Sequence, residues 1–86
     1  MHTWSVKPLP VGFELHSDIR DVKRLARGKS IDQRQRLNRD FGKGRWRKMK
    51  GTALVKYPSG EICRAELHWF EAHGIGKREI KVKRPL

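Results

Sequence analysis

The sequence has few of the residues that would indicate a disulfide-stabilised fold or a membrane protein. It contains one cysteine, Cys63, so no disulfide can form within the chain. It has no run of about 18 apolar residues, which excludes a membrane-spanning helix. The N-terminal residues lack the apolar segment that follows the first positive charge of a secretory signal. We therefore expect a cytoplasmic protein.

Acidic residues are also scarce, because 9 Asp and Glu face 21 Lys and Arg, a net charge of +12. Most of this excess lies in residues 17–50, which contain 13 basic and 4 acidic residues. Such a field concentrates polyanions at the surface and speeds their capture. RNA is the expected partner and DNA a further candidate, with an acidic protein as the alternative. A membrane surface is disfavoured, because the apolar face predicted within 17–41 is too narrow.

The N-terminal half predicts helices within one domain of residues 1–86. Residues 1–10 contain two prolines and predict an irregular arm, and alternation over 11–15 favours a short strand. Ser17 is a good N-cap, and the apolar residues after it recur at helical spacing as far as Gly28.

A second helix is predicted after this first one. Residues 30–33 match a capping box, and the helix would run to about Phe41, with Gly42 as its stop.

The C-terminal third predicts three antiparallel strands at 52–57, 62–71 and 78–83. A three-residue hairpin loop at 58–60 joins the first two, and a four-residue turn at 73–76 joins the last two. The predicted fold class is therefore α+β. One or two N-terminal helices would pack on one face of a three- to four-stranded antiparallel meander.

Strand alternation separates an apolar face from an ionisable one. Odd-numbered residues from Cys63 to Trp69 would face the helices. The even-numbered residues Arg64, Glu66 and His68 would lie on the open face. The predicted registers place Lys81 opposite His68 and Lys83 opposite Glu66.

These residue types suit cleavage of RNA, whose ribose 2′-hydroxyl can attack the adjacent phosphate. Glu66 would accept the hydroxyl proton and His68 would protonate the leaving oxygen. Arg64, Lys81 and Lys83 would stabilise the charge on phosphorus. No metal ion or cofactor is predicted, and the His and Cys spacing does not match a zinc site. The alternative is structural, because an open antiparallel sheet always has a polar face with cross-strand ion pairs.

A basic stretch over 43–50, flanked by glycines, predicts an exposed connection that contacts nucleic acid. Its Trp46 could stack on a base or anchor the core. The candidate nucleic-acid-binding residues are Lys43, Arg45, Trp46, Arg47, Lys48 and Lys50.

Residues 19–25 (IRDVKRL) and 64–83 (RAELHWFEAHGIGKREIKVK) resemble small bacterial ribonuclease toxin domains of the barnase, colicin D and RelE type. The resemblance implies helices packed on a curved antiparallel sheet, cellular RNA as substrate and an acidic antitoxin-like partner. It also implies acid–base roles for His68 and Glu66, and phosphate-binding roles for Arg64, Lys81 and Lys83.

The sequence therefore predicts a nucleic-acid-binding protein that acts as a metal-independent ribonuclease of toxin type. Two alternatives stay open: a non-catalytic RNA- or DNA-binding module, and a basic protein that binds an acidic partner.

Overall fold

The computed structural model describes residues 9–86, which form one curled antiparallel sheet and one α-helix. Residues 1–8, most of the predicted irregular arm, lie outside the described range. The elements are β1 (Glu14–Leu15), β2 (Arg20–Arg27), α1 (Arg34–Phe41), β3 (Arg47–Lys56), β4 (Ile62–Ala72) and β5 (Gly76–Pro85). Strands β1 and β2 pair one after the other with β3, so the order across the sheet is β1 and β2, then β3, β4 and β5.

The predicted first helix is wrong, because its residues form strand β2 at the edge of the sheet. Two register irregularities interrupt the pairing of β2 with β3, and Asp21 has a left-handed φ of 53°. Each bulge adds a residue and shifts the alternation of side chains, which imitates helical spacing. The Ser17 hydroxyl, predicted as an N-cap, instead accepts a hydrogen bond from the backbone of Leu54 at 2.9 Å.

The predicted second helix exists only in its later part, as α1. Ser30 instead closes the short 3-10 turn before the helix, where its hydroxyl donates to the Arg27 carbonyl at 2.6 Å and accepts from the Arg27 N–H at 3.2 Å. The predicted capping box over 30–33 does not form, because the N-cap of α1 is Gln33 and no side chain caps it. The helix begins at Arg34, and Gly42 ends it with a positive φ of 107°. With one short helix and a mostly β structure, the predicted α+β fold class with N-terminal helices packed on one sheet face is wrong.

The C-terminal meander has the predicted strand order and a modified register. Val55 pairs with Cys63 as predicted, and Leu67 pairs with Val82. The last turn has three residues and not four, because Ala72 pairs with Gly76. An irregularity between His68 and Phe70 restores the predicted register, and a second one between Glu66 and Leu67 shifts the pairing by one residue again.

Apolar residues form two clusters on opposite faces of the sheet. The first lies on the odd-numbered side of β3 and β4 and is covered by the segment before β2. The second lies on the even-numbered side at one end of the sheet and is covered by α1. Buried members of the first are Met49, Ala53, Val55, Ala65, Leu67, Trp69 and Ile80, and of the second Ile31, Leu37, Trp46, Phe70 and Ala72.

The helix therefore covers only part of the even-numbered face and leaves the rest open. Within residues 9–86, no helix combines the length and the apolar character needed to span a membrane.

Candidate nucleic-acid interface

The open part of the even-numbered face carries two neighbouring rows of polar residues that cross four strands. Opposed residues of antiparallel strands project to the same side, about 5 Å apart, so each row is continuous. We call this patch the basic face. Its first row is Lys23, Lys50, His68 and Lys81, and its second row is Arg20, Thr52, Glu66 and Arg84.

A hydrogen-bonded group of three side chains lies within these rows. The Nε2 atom of His68 is 2.6 Å from Oε2 of Glu66, and Nη2 of Arg84 is 2.7 Å from Oε1. The Glu66 and His68 side chains are only 10% and 18% exposed, whereas that of Arg84 is 61% exposed. The hydrogen bond from His68 and the charge of Arg84 lower the pKa of Glu66 and keep it ionised.

Five cations surround this one carboxylate and one imidazole. Lys50 is close enough to contribute to the lowered pKa of Glu66, and the other four cations are exposed. Asp21 also lies here, where its Oδ2 accepts a hydrogen bond from Thr52 at 3.3 Å. The balance of charge on the basic face is therefore strongly positive, as required for a surface that attracts polyanions.

The structure brings some of the predicted catalytic residues together and separates others. Lys81 lies opposite His68, as the predicted register requires. Lys83 does not lie opposite Glu66, because a bulge makes it an extra residue and places Arg84 there. Arg64 is exposed and precedes Glu66 by two positions, opposite Leu54.

Sequence reasoning missed Arg20 and Lys23, because it placed both on a helix. The local signal that could have located them is Gly51, which lies in β3 between Lys50 and Thr52. A Cβ atom at Gly51 would be 2.6 Å from Cγ2 of Ile19 and 3.0 Å from the carbonyl oxygen of Arg20. A glycine within a strand often marks such a close approach of two backbones.

The predicted basic stretch is only partly an exposed connection, since β3 begins at Arg47. The Trp46 ring is buried in the second cluster and donates a hydrogen bond to Asn38 at 3.0 Å. With 1% exposure, its indole has no free face on which a base could stack.

The basic residues of this stretch are dispersed. Arg47 pairs with Glu71 at 3.1 Å, and Lys50 joins the basic face. Lys43 and Arg45 lie exposed in the loop before β3, and Lys48 lies opposite Phe70.

In the part of the chain that the structure describes, no group of three or more His, Cys, Asp or Glu residues could hold a metal ion. No protein-family model, curated protein or solved structure matches the chain.

Proposed function

We propose that the protein binds RNA across the basic face and cleaves it with its own side chains, the Glu66–His68 pair transferring the protons. The observation that carries the proposal is the 2.6 Å contact between this carboxylate and this imidazole, among cations on an open sheet face. Carboxylate, imidazole and cations are the groups that transesterification at phosphorus requires.

In the proposed reaction, ionised Glu66 takes the proton of the ribose 2′-hydroxyl while that oxygen attacks the adjacent phosphorus. The bond from phosphorus to the 5′ oxygen breaks, and protonated His68 gives its proton to that oxygen. The products are a 2′,3′-cyclic phosphate and a 5′-hydroxyl end. Because the two side chains are 2.6 Å apart, the proton on Glu66 can pass to His68 and restore the starting state.

The cations of the basic face would bind the RNA and stabilise the transition state. Arg84 and Lys81 lie beside the pair, where they can compensate the negative charge that grows on the phosphoryl oxygens. Four strands spaced about 4.8 Å apart give the patch a width of about 14 Å. A patch of that width exceeds one phosphate group and can contact neighbouring nucleotides.

The test is cleavage of end-labelled single-stranded RNA in the presence of EDTA. We expect His68→Ala to lower the cleavage rate by about 10²–10⁴-fold without changing the circular dichroism spectrum. Glu66→Gln should have a similar effect, and Arg39→Gln, a change on the exposed side of α1, should have none.

A chemical control tests whether cleavage proceeds through the ribose 2′-hydroxyl. RNA with a 2′-deoxy or 2′-O-methyl group at the cleaved position should bind but stay intact, because it lacks the nucleophile. Cleavage that persists in both His68→Ala and Glu66→Gln would reject the mechanism.

A second candidate is a non-catalytic RNA- or DNA-binding module. It is favoured by the environment of Glu66, whose two oxygens are already bonded to His68 and Arg84 and whose side chain is largely buried. A carboxylate in that state can serve purely to hold cations in place.

This second candidate predicts binding without cleavage and a steep dependence on salt. The slope of log K against log salt changes by about 0.7 for each phosphate neutralised on a single strand. Lys50→Gln combined with Lys81→Gln should therefore flatten the slope by about 1.4. An affinity that does not vary with salt would contradict both candidates.

A further inference from the structure

A second concentration of positive charge lies at the end of the β2–β3 pairing, around a pocket of about 480 Å³. The turn after β2, the start of α1 and the loop before β3 enclose it. We call it the arginine pocket. Glycines 28 and 44 and Trp46 complete its lining, and its cations are Arg24, Arg27, Lys29, Arg34, Arg45 and Arg47.

The arginine pocket is separate from the basic face. Arg24 lies opposite Met49, a member of the first cluster, and Arg27 lies opposite Arg47. Because opposed residues share a face, these three arginines project to the side of the sheet away from Glu66 and His68. No residue of the pocket belongs to the basic face.

The charge in the pocket is almost uncompensated. No carboxylate lines it, and among residues 9–86 only Arg47 of its cations has an ion-pair partner, Glu71. Cations gathered in this way repel one another and destabilise the folded chain. An anion that binds only the folded chain would remove this repulsion and stabilise the fold.

We propose that the arginine pocket binds a phosphate group with more than one negative charge, either a terminal phosphate on a nucleic acid or a polyphosphate. A phosphomonoester carries a charge of about −1.5 to −2 and three acceptor oxygens. Arginine side chains suit it because their planar N–H groups bind two oxygens at once. The site supplies more cations than a phosphodiester, with one charge, would need.

The test is titration of the full chain with inorganic tripolyphosphate by calorimetry and by thermal unfolding. We expect binding that raises the unfolding temperature. Arg27→Gln combined with Arg45→Gln should weaken it by about tenfold or more. Both side chains are exposed, so the variant should fold, and without ligand at low salt it should unfold at a higher temperature than the parent chain.

The matched control is Arg39→Gln with Lys56→Gln, which removes two charges outside the pocket and should leave tripolyphosphate binding within about twofold. Equal losses of tripolyphosphate affinity in the two double variants would mean that binding depends only on net charge, and would overturn the proposal. So would the absence of tripolyphosphate binding, or an unchanged affinity in the pocket variant.

Two further arms identify the source of the phosphate and separate this inference from the proposed function. They use Lys50→Gln with Lys81→Gln, which weakens the basic face. If that variant still prefers a 5′- or 3′-phosphorylated oligonucleotide to its hydroxyl form, the ligand is a strand end. If it binds tripolyphosphate alone, the ligand is a free polyphosphate. If the parent chain fails to cleave RNA but binds tripolyphosphate, the proposed function is rejected and the proposal for the arginine pocket stands.

Discussion

Replacing Gly51 by alanine tests how strand β2 is held against β3. The new Cβ would be 2.6 Å from Cγ2 of Ile19, 3.0 Å from the Arg20 carbonyl oxygen and 3.1 Å from Cη2 of Trp69. One of these atoms has to move, and Arg20 O belongs to the backbone. Overpacking of this kind costs about 1–3 kcal/mol, from which about 0.4–1 kcal/mol is recovered because alanine restricts the unfolded chain.

The net loss should therefore be about 1–2 kcal/mol, and each kcal/mol lowers the unfolding temperature by about 4–8 °C in a domain of this size. Urea unfolding monitored by tryptophan fluorescence measures it. Ile19→Ala removes the nearest clashing atom, so the double variant should lose less stability than the two single changes added together.

The same substitution should affect the basic face, because moving Arg20 and the start of β2 displaces the second row. We expect weaker RNA binding by Gly51→Ala under conditions where it is fully folded. A variant as stable as the parent chain, or strictly additive losses in the cycle with Ile19→Ala, would show that β2 does not lie where this structure places it.

Two further predictions concern the packing of α1 and the response to acid. Leu37→Ala should cost about 2–5 kcal/mol in urea unfolding, because this fully buried side chain joins α1 to the sheet; a loss below about 1 kcal/mol would contradict that packing. Hydrogen bonds from Arg36 lower the pKa of Glu79, and the bond from His68 lowers that of Glu66, each from an ordinary value of 4.5. The unfolded chain then takes up protons more readily, so the stability these groups supply is complete above about pH 4.5 and is lost as pH falls through their folded pKa values. Glu79→Gln should make that decline shallower in urea titrations between about pH 5 and 3, and an identical decline would argue against the Arg36 contact.

The C-terminal meander could be predicted because its signals are local and agree with one another. The hairpin loop sets the register of Val55 against Cys63, and strict alternation then places Ala65, Leu67 and Trp69 on the buried side. The same alternation extends upstream from Ala53 to Gly51 and Met49. The sequence could therefore also have predicted that β3 begins before residue 52.

Strand β2 could not be predicted in this way. Its apolar residues Val22 and Leu25 are 46% and 44% exposed, so they do not mark a buried face. What keeps the segment extended is pairing with β3, a long-range contact that propensity does not register. Bulges within the pairing then give a spacing close to that of a helix.

In the candidate site, too, some residues could be placed from local sequence patterns and others could not. Glu66 and His68 follow from the phase of β4, whereas Lys81 lies opposite His68 only because an irregularity compensates for a last turn one residue shorter than predicted. Arg84 replaced Lys83 because a bulge in β5 shifts the register by one residue. A bulge is set by how the sheet curls around its core, which no short stretch of sequence reveals.

The alternation of β4 between two apolar clusters constrains how the length of this chain can change in evolution. Leu67 and Trp69 belong to one cluster, whereas Phe70 and Ala72 belong to the other. An inserted or deleted residue at the middle of β4 would turn the side chains on one side of it to the opposite face of the sheet. Apolar residues would then lose their cluster, and the ionisable groups would leave the basic face. The outer strands already accommodate irregularities, so related chains should differ in length at β2, at β5 and in the turns, while β4 keeps its residue count.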